Sequence, residues 1–334
     1  MNEQRILLAH GNGGRFMREL IGEIFARHLA NPALDTDADA VHLPGLIGDI
    51  LVTTDGFTVQ PIEFPGGNLG SLAVHGVVND LAVAGAEPRY FTLSAIIEEG
   101  LDVALLDRLI ASFAAAAKES GAAVAAGDTK VVRHGEGGGL YLSVAGIGVR
   151  RASTELGMKR IAPGDIVLVS GPVGDHGVSV MLAREQFGLS GALRSDSASV
   201  LPLTRAVWDL PGLRFMRDPT RGGLATVCHE IAHATGSSVV LQQGNVPVRG
   251  EVVSVCEMLG YDPWFLACEG RVVAVAAADT AHEVLARWQA LPQGADAAII
   301  GRIEAGAARL VLETELGGRR VLEELEDDPL PRIC

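Results

Sequence analysis

Four aspartates in the first half of the chain stand beside glycines or at strand ends: Asp49, Asp55, Asp80 and Asp128. Magnesium takes one or two carboxylates together with phosphate oxygens and water, so a cluster drawn from these four suits a magnesium nucleotide. Singly, each is also an ordinary turn or cap aspartate, and spacing does not show that they converge. Asp80 is the sharpest of them. It falls inside the apolar run Leu72 to Ala82, where an unpaired carboxylate is costly. A cap, a buried hydrogen bond or a metal would relieve it.

A second candidate is His10-Gly11-Asn12-Gly13-Gly14, between the strand-like Ile6-Leu7-Leu8-Ala9 and an amphipathic helix expected from about Arg15 to Leu29. A strand, a glycine-rich turn and a helix start leave N–H groups free for an anion. No Gly-Lys-Ser/Thr follows, so this is not a Walker A loop, and a plain turn fits equally well.

His229-Glu230-Ile231-Ala232-His233 is a literal H-E-x-x-H that continues to Gly236. Two histidines on one helix face with a general base is the layout of a zinc peptidase. Where a metzincin has its third histidine this chain has Val239, and Glu251 or Glu257 are unsupported substitutes. Short motifs of this kind arise by chance, and the plainer reading is a pair of helix histidines with Gly236 ending the helix.

The sequence ends in Pro331-Arg332-Ile333-Cys334 after the acidic run Glu323-Glu324-Leu325-Glu326-Asp327-Asp328. Pro329 and Pro331 favour an extended path. Asp327 to Cys334 could span roughly 26 Å at ~3.3 Å per residue, enough to carry the thiol into a cleft of its own chain. An incidental cysteine in a frayed end is the competing explanation.

The 334 residues suffice for two domains, and the composition is that of a soluble globular protein. A net charge of −14 argues against a nucleic-acid surface. No uninterrupted apolar segment has membrane-spanning length, so no membrane association is expected. The start of the sequence lacks a signal-peptide layout, and the cysteines, at 228, 256, 268 and 334, form no Cys-x-x-Cys. Reduced, free thiols in a cytoplasmic protein are the expectation, with Cys228, Cys256 and Cys268 buried.

Stepping through the elements, a strand is expected over Gly48 to Gly56 and a helix around Leu72 to Ala82. A second helix from Leu101 to Ser120 precedes a strand carrying Gly127-Asp128-Thr129-Lys130, and Gly139 to Gly148 reads as a closing strand. Arg150 to Pro163 is charged and turn-rich, and Ile166-Val167-Leu168-Val169 restarts the pattern. A polar loop over Ser190 to Ser199, a helix from Leu224 to His233, a strand from Arg271 to Ala276 and a hairpin over Ala308 to Val321 follow. Alternating strands and helices indicate α/β or α+β, with α+β favoured by close strand pairs in the first half. The expected units are 1–155, 156–326 and a tail over 327–334.

Taken as a set, several stretches resemble the HypE family of hydrogenase maturation proteins. They are Leu8-Ala9-His10-Gly11-Asn12-Gly13-Gly14, Thr54-Asp55-Gly56-Phe57, Val78-Asn79-Asp80-Leu81 and Gly127-Asp128-Thr129-Lys130-Val131-Val132. Asp218-Pro219-Thr220-Arg221-Gly222-Gly223-Leu224, Ala267-Cys268-Glu269-Gly270-Arg271 and the terminal Pro331-Arg332-Ile333-Cys334 complete the set. The internal motifs belong to the aminoimidazole ribonucleotide synthetase-like superfamily, and the terminal cysteine selects HypE within it.

The resemblance implies a two-domain fold, a homodimer paired through the first sheet, and ATP near the dimer and domain clefts. Asp49, Asp80 and Asp128 would hold magnesium. Gly11, Asn12, Gly13 and Gly14 would cover phosphates, with Asp55, Asn79 and Thr129 completing the nucleotide site. It further implies that the carbamoyltransferase HypF loads Cys334, and that ATP then drives dehydration to a thiocyanate. The cyano group would pass to iron on the HypC–HypD complex. Glu269 and Lys130 are the candidates for proton handling; a strand-end salt bridge and an exposed loop lysine are their plainer roles. The rivals are a sister enzyme of the superfamily or a non-catalytic scaffold with a docking tail. A selenophosphate synthetase would carry a cysteine or selenocysteine near its N-terminus, and residues 1–30 have none.

Overall fold

The structure, a computed structural model, describes residues 4–12, 14–36, 38, 40–152, 156–184 and 191–325. The first part of the chain runs α1 (Arg15–Leu20), a π-helical stretch over Ile21–Ala26, α2 (Arg27–Leu29), β1 (Ile50–Phe57), and the short strands β2 (Glu63–Phe64) and β3 (Gly67–Asn68). α3 (Leu69–Val83), β4 (Ala86–Glu98), α4 (Val103–Ser120), β5 (Ala123–Val132) and β6 (Leu140–Arg150) complete it. Expected helix boundaries are set by chemistry readable in the sequence. Asn68 caps α3 by accepting from the Ser71 N–H at 3.1 Å, and Asp102 caps α4 through the Leu105 N–H at 3.0 Å. Gly121, at φ 77°, ends α4 in the left-handed conformation that glycine tolerates.

The expected strand Ile6–Ala9 does not form; Leu8–Gly11 is a 3-10 turn instead. The cause is local. After a single antiparallel bridge between Arg5 and Asp102, His10 Nδ1 accepts the Leu7 N–H at 2.9 Å and folds the chain back before the pairing can extend.

The first sheet has the order β1-β6-β4-β5, antiparallel except for the parallel β4–β5 pair. One face is covered by α3 and α4 and buries Phe57, Phe91, Leu93, Ile97 and Val144. The opposite face has no cover among the described residues and leaves Ile50 and Val52 51% and 68% exposed, with Ile96 and Tyr141 beside them. Strand periodicity places Asp128 and Lys130 on this open face and Thr129 on the other.

The second part runs β7 (Ile166–Val169), α5 (Asp175–Ala183), α6 (Leu201–Arg205), β8 (Leu213–Arg217), α7 (Gly223–Thr235), β9 (Ser238–Gln242) and α8 (Gly250–Leu259). β10 (Val273–Ala276), α9 (Ala278–Gln289), β11 (Ala298–Glu304), β12 (Arg309–Glu313) and β13 (Arg319–Leu322) follow. Its seven strands lie in the order β13-β12-β9-β11-β7-β10-β8. The expected hairpin is β12–β13, and β10 begins two residues later than expected.

α3 joins the two parts. It is buried nearly all round, as expected for a helix with protein on every side. Gly70 lets it cross α4 closely, since a Cβ there would stand 2.0 Å from the Leu109 carbonyl oxygen. Beyond it, residues 191–200 carry no helix or strand, in line with the expected polar loop. They thread between the parts, with the Ser195 N–H donating to the Pro65 carbonyl at 2.8 Å and Leu193 and Val200 buried. Burial is tolerated because the backbone finds partners on both sides.

Candidate active site

Asp55 on β1, Asp80 on α3, Asp218 just after β8 and Glu269 before β10 converge around one small cavity of about 40 Å3 between the two parts. Gly76, one turn before Asp80, makes room for the Phe57 ring, which a Cβ would meet at 2.6 Å. Thr53 on β1 donates its hydroxyl to Asp80 at 2.7 Å. Arg221 approaches Asp55 at 3.7 Å.

These carboxylates disturb one another. Burial raises Asp80 above the usual carboxylate range; the Thr53 hydrogen bond pulls it back down and Asp55 pushes it up again. Asp218 is pushed up to about 7, by burial first and by Asp80 next. Burial also drives Glu269 well upward, helped by Asp218 and Asp196. Crowded buried carboxylates that resist ionisation are what a cation relieves.

The backbone of Glu269 is held on both sides. Asn79 donates from Nδ2 to the Glu269 and Ala198 carbonyls, both at 3.1 Å, and accepts the Val200 N–H at 2.8 Å on Oδ1. Asp196 accepts the Glu269 N–H at 3.1 Å. Gly270 is required beside it, because a Cβ would fall 1.9 Å from the Asp196 carbonyl oxygen.

The sequence-derived candidates therefore divide. Asp55, Asp80 and Glu269 come together, joined by Asp218, which the sequence reading quoted within a motif but left out of the metal set. Asn79 is fully buried with both of its Nδ2 donors and its Oδ1 engaged by backbone, so it positions Glu269 and Val200 and has no hand free for a nucleotide. Asp49 is exposed and faces Arg150 at 3.6 Å, away from Asp80. Asp128 and Lys130 lie on β5, three strands from β1, or roughly 14 Å at ~4.8 Å per step.

A second cluster forms around that β5 edge. Gly11 lies against β5, where a Cβ would meet the Val131 nitrogen at 2.9 Å. Gly14, at φ 82°, starts α1. A cavity of about 160 Å3 opens nearby, walled by Met17, Phe25, Leu34 and Val124 and edged by Asp128 and Thr129. The Thr129 Oγ1 is buried and has no partner among the described residues. Asn12 follows the 3-10 turn; Gly13 and Cys334 lie outside the described residues.

The raised carboxyls give a pH dependence. A carboxyl with a raised folded pKa holds its proton in the native state above the pH at which the unfolded chain releases it. Its stabilising contribution is therefore present at low pH and lost as pH rises through the folded value. Without divalent cations, Asp218→Asn is expected to melt above the parent at pH 8, with the gap closing as pH falls from 7 toward the ordinary carboxylate range. Magnesium should raise the parent's melting temperature more than the variant's. Calorimetry across that range checks it; a gap that widens on acidification contradicts it.

Comparison with known proteins identifies the family of both parts. The N-terminal domain family of AIR synthase related proteins matches residues 36–150, and the C-terminal domain family matches residues 162–312. The chain is thus an AIR synthase related protein across both parts. Among curated proteins it is 43% identical to the carbamoyl dehydratase HypE of Azotobacter vinelandii, covering 98% of this chain and 96% of that one. It is 42% identical to the carbamoyl dehydratase HypE of Escherichia coli, covering 98% and 99%. The chain belongs to the HypE family. Among solved structures, a hydrogenase maturation protein HypE in complex with ATP superposes with a TM-score of 0.93 at 41% identity, covering 98% of this chain and 99% of that one. A chain from a HypE–HypF complex gives 0.81 at 40% identity, covering 92% and 99%.

Proposed function

We propose that this chain is an ATP-dependent carbamoyl dehydratase that acts on a carbamoyl group carried by its own Cys334 and leaves a thiocyanate. The observation that carries this reading is the convergence of Asp55, Asp80, Asp218 and Glu269, four carboxyls on one small cavity with Arg221 and Arg217 as the neighbouring cations. Membership of the HypE family and the likeness to an ATP-bound relative supply the reaction class.

The chemistry asked of the site is specific. An amide oxygen leaves poorly until the γ-phosphoryl is transferred to it; the C–O bond then breaks with phosphate as leaving group, and nitrogen gives up both protons as the C≡N bond forms. Magnesium, when bound, spreads the charge that develops on the phosphates. Asp80, Asp218 and Asp55 fit its oxygen-ligand preference, and Asp218 replaces Asp49 and Asp128 in that role. Glu269, its peptide fixed by Asn79 and Asp196, is placed to hold or pass a proton beside the cluster. Gly11 and Gly14, with the unpartnered Thr129 hydroxyl and the apolar cavity, form the nucleotide end.

Lys130 and Glu269 lie apart in one chain, so a joint role in proton handling requires a second copy. The bare apolar face of the first sheet supports such a homodimer, with the cation end of one copy serving the nucleotide end of another. A monomer in sedimentation equilibrium would remove this part of the reading. HypF as the carbamoyl donor's enzyme, HypC–HypD as the acceptor of the cyano group, and a cytoplasmic location complete the proposal. Among the described residues, no helix is long and apolar enough to cross a membrane, and Cys228, Cys256 and Cys268 are free and buried.

The direct test is coupling. ADP should form in one equivalent per chain after treatment with carbamoyltransferase and carbamoyl donor, and only at background without it. Equal turnover in both states would point to one of the sister enzymes.

A further inference from the structure

The H-E-x-x-H stretch has no part in the chemistry above, yet its surroundings are not neutral. On α7, His229 and His233 are one turn apart with ring centroids 6.4 Å from each other. Glu324, two residues past β13, brings its carboxylate to 3.4 Å from His233 Nε2. One ligand atom from each of the three lies within 4.8 Å of the others. Among the described residues this is the one group of histidine, cysteine and carboxylate ligands so assembled, and its third member is neither Glu251 nor Glu257.

His229 supplies an independent observation. The residue is only 6% exposed; the Glu323 backbone lies beside its ring, and among the described residues its buried Nε2 meets no partner in hydrogen-bond geometry, an arrangement that is costly unless something binds there. Glu324 faces the histidine pair from the segment after β13.

We propose that His229, His233 and Glu324 form a site for a divalent transition ion of the zinc class. Two imidazoles and a carboxylate are zinc ligands, whereas magnesium prefers oxygen throughout. From a 4.8 Å limit, rotamer adjustments of about an ångström bring the donors to the ~2.0–2.2 Å bonds of tetrahedral zinc, leaving a fourth position for water. The site is not that of a peptidase. Glu230, the would-be general base, is turned to Arg217 and pairs with it at 3.0 Å. The ion would instead clamp residue 324 to α7, whose first turn follows directly on the Asp218 segment. Because Cys334 is ten residues further on, the clamp fixes the point from which that segment departs. This consequence rests on the proposed function; the ion site itself does not.

The test is zinc binding to the full chain in excess magnesium, which occupies the carboxylate cluster, read by competition with a chromophoric chelator. One zinc per chain is expected, with His233→Ala and Glu324→Gln each weakening it by about tenfold or more. Both residues are exposed, and unchanged melting curves without metal would verify that the variants fold. Cobalt should give visible d–d bands without a thiolate charge-transfer band. Absence of zinc uptake, uptake indifferent to both substitutions, or uptake lost in Cys334→Ser with a thiolate band in the cobalt form would each overturn the site. None of these readouts uses ATP or carbamoylation, so they stand or fall apart from the dehydratase reading.

Discussion

Cys334→Ala is expected to abolish dehydration completely while leaving the fold and ATP binding as they are. The thiol is the covalent carrier: without its sulfur there is no thiocarbamate, and no alternative side chain can stand in for it. The residues placed at the nucleotide end, Gly11, Gly14 and Thr129, and the carboxylates of the cluster lie elsewhere in the sequence. Nucleotide affinity measured by calorimetry should therefore match the parent. ADP formation after carbamoyltransferase treatment should drop to background. Loss of ATP binding in this variant would mean that Cys334 helps to build the nucleotide site, and would count against its role as a carrier.

Asp80→Asn is the complementary case. The change keeps the shape and the contact from Thr53 but removes one negative charge from the cluster. Two effects oppose each other. Relief of repulsion lowers the strain on Asp218, because Asp80 is its leading charged neighbour. Loss of a ligand weakens the cation that must be present when charge develops on the phosphates. For the reaction the second effect dominates, since electrostatic groups aimed at a transition state are each worth roughly 10²- to 10³-fold in rate. ADP formation should therefore fall by about that factor. Cys334 should still accept a carbamoyl group, and the apo protein should be no less stable than the parent. A variant that keeps full turnover would remove Asp80 from the cation site.

Much of the scaffold was legible because its determinants are local. Asn68 and Asp102 announce helix starts, and Gly121 a helix end. The alternation in Gly127-Asp128-Thr129-Lys130 fixes which side chains share a face. The candidate site was legible only in part, because convergence is long-range. Asp55, Asp80, Asp218 and Glu269 come from two sheets and a helix between them, and Asp218 resembles a plain turn residue before Pro219. Asp49 and Asp128 carry the same local marks as Asp55 but fall on a strand start beside Arg150 and on the far edge strand. Asn79 adjoins Asp80 in sequence, yet helix geometry turns it toward residues 198–200 and the Glu269 peptide. The stretch 191–200 was legible as a polar loop, but composition does not reveal that Asn79, Glu269 and Pro65 await its backbone. For H-E-x-x-H the third ligand lies far along the chain, so no local spacing could supply it.

The most direct measurement is the intact mass of the chain before treatment, after carbamoyltransferase with its donor, and again after magnesium and ATP. The account predicts a gain of one carbamoyl group localised to Cys334, followed by an ATP-dependent loss of one water from the same residue. A carbamoyl group that persists with ATP present, or a Cys334 that stays unmodified while the transferase is active on another HypE protein, would contradict it.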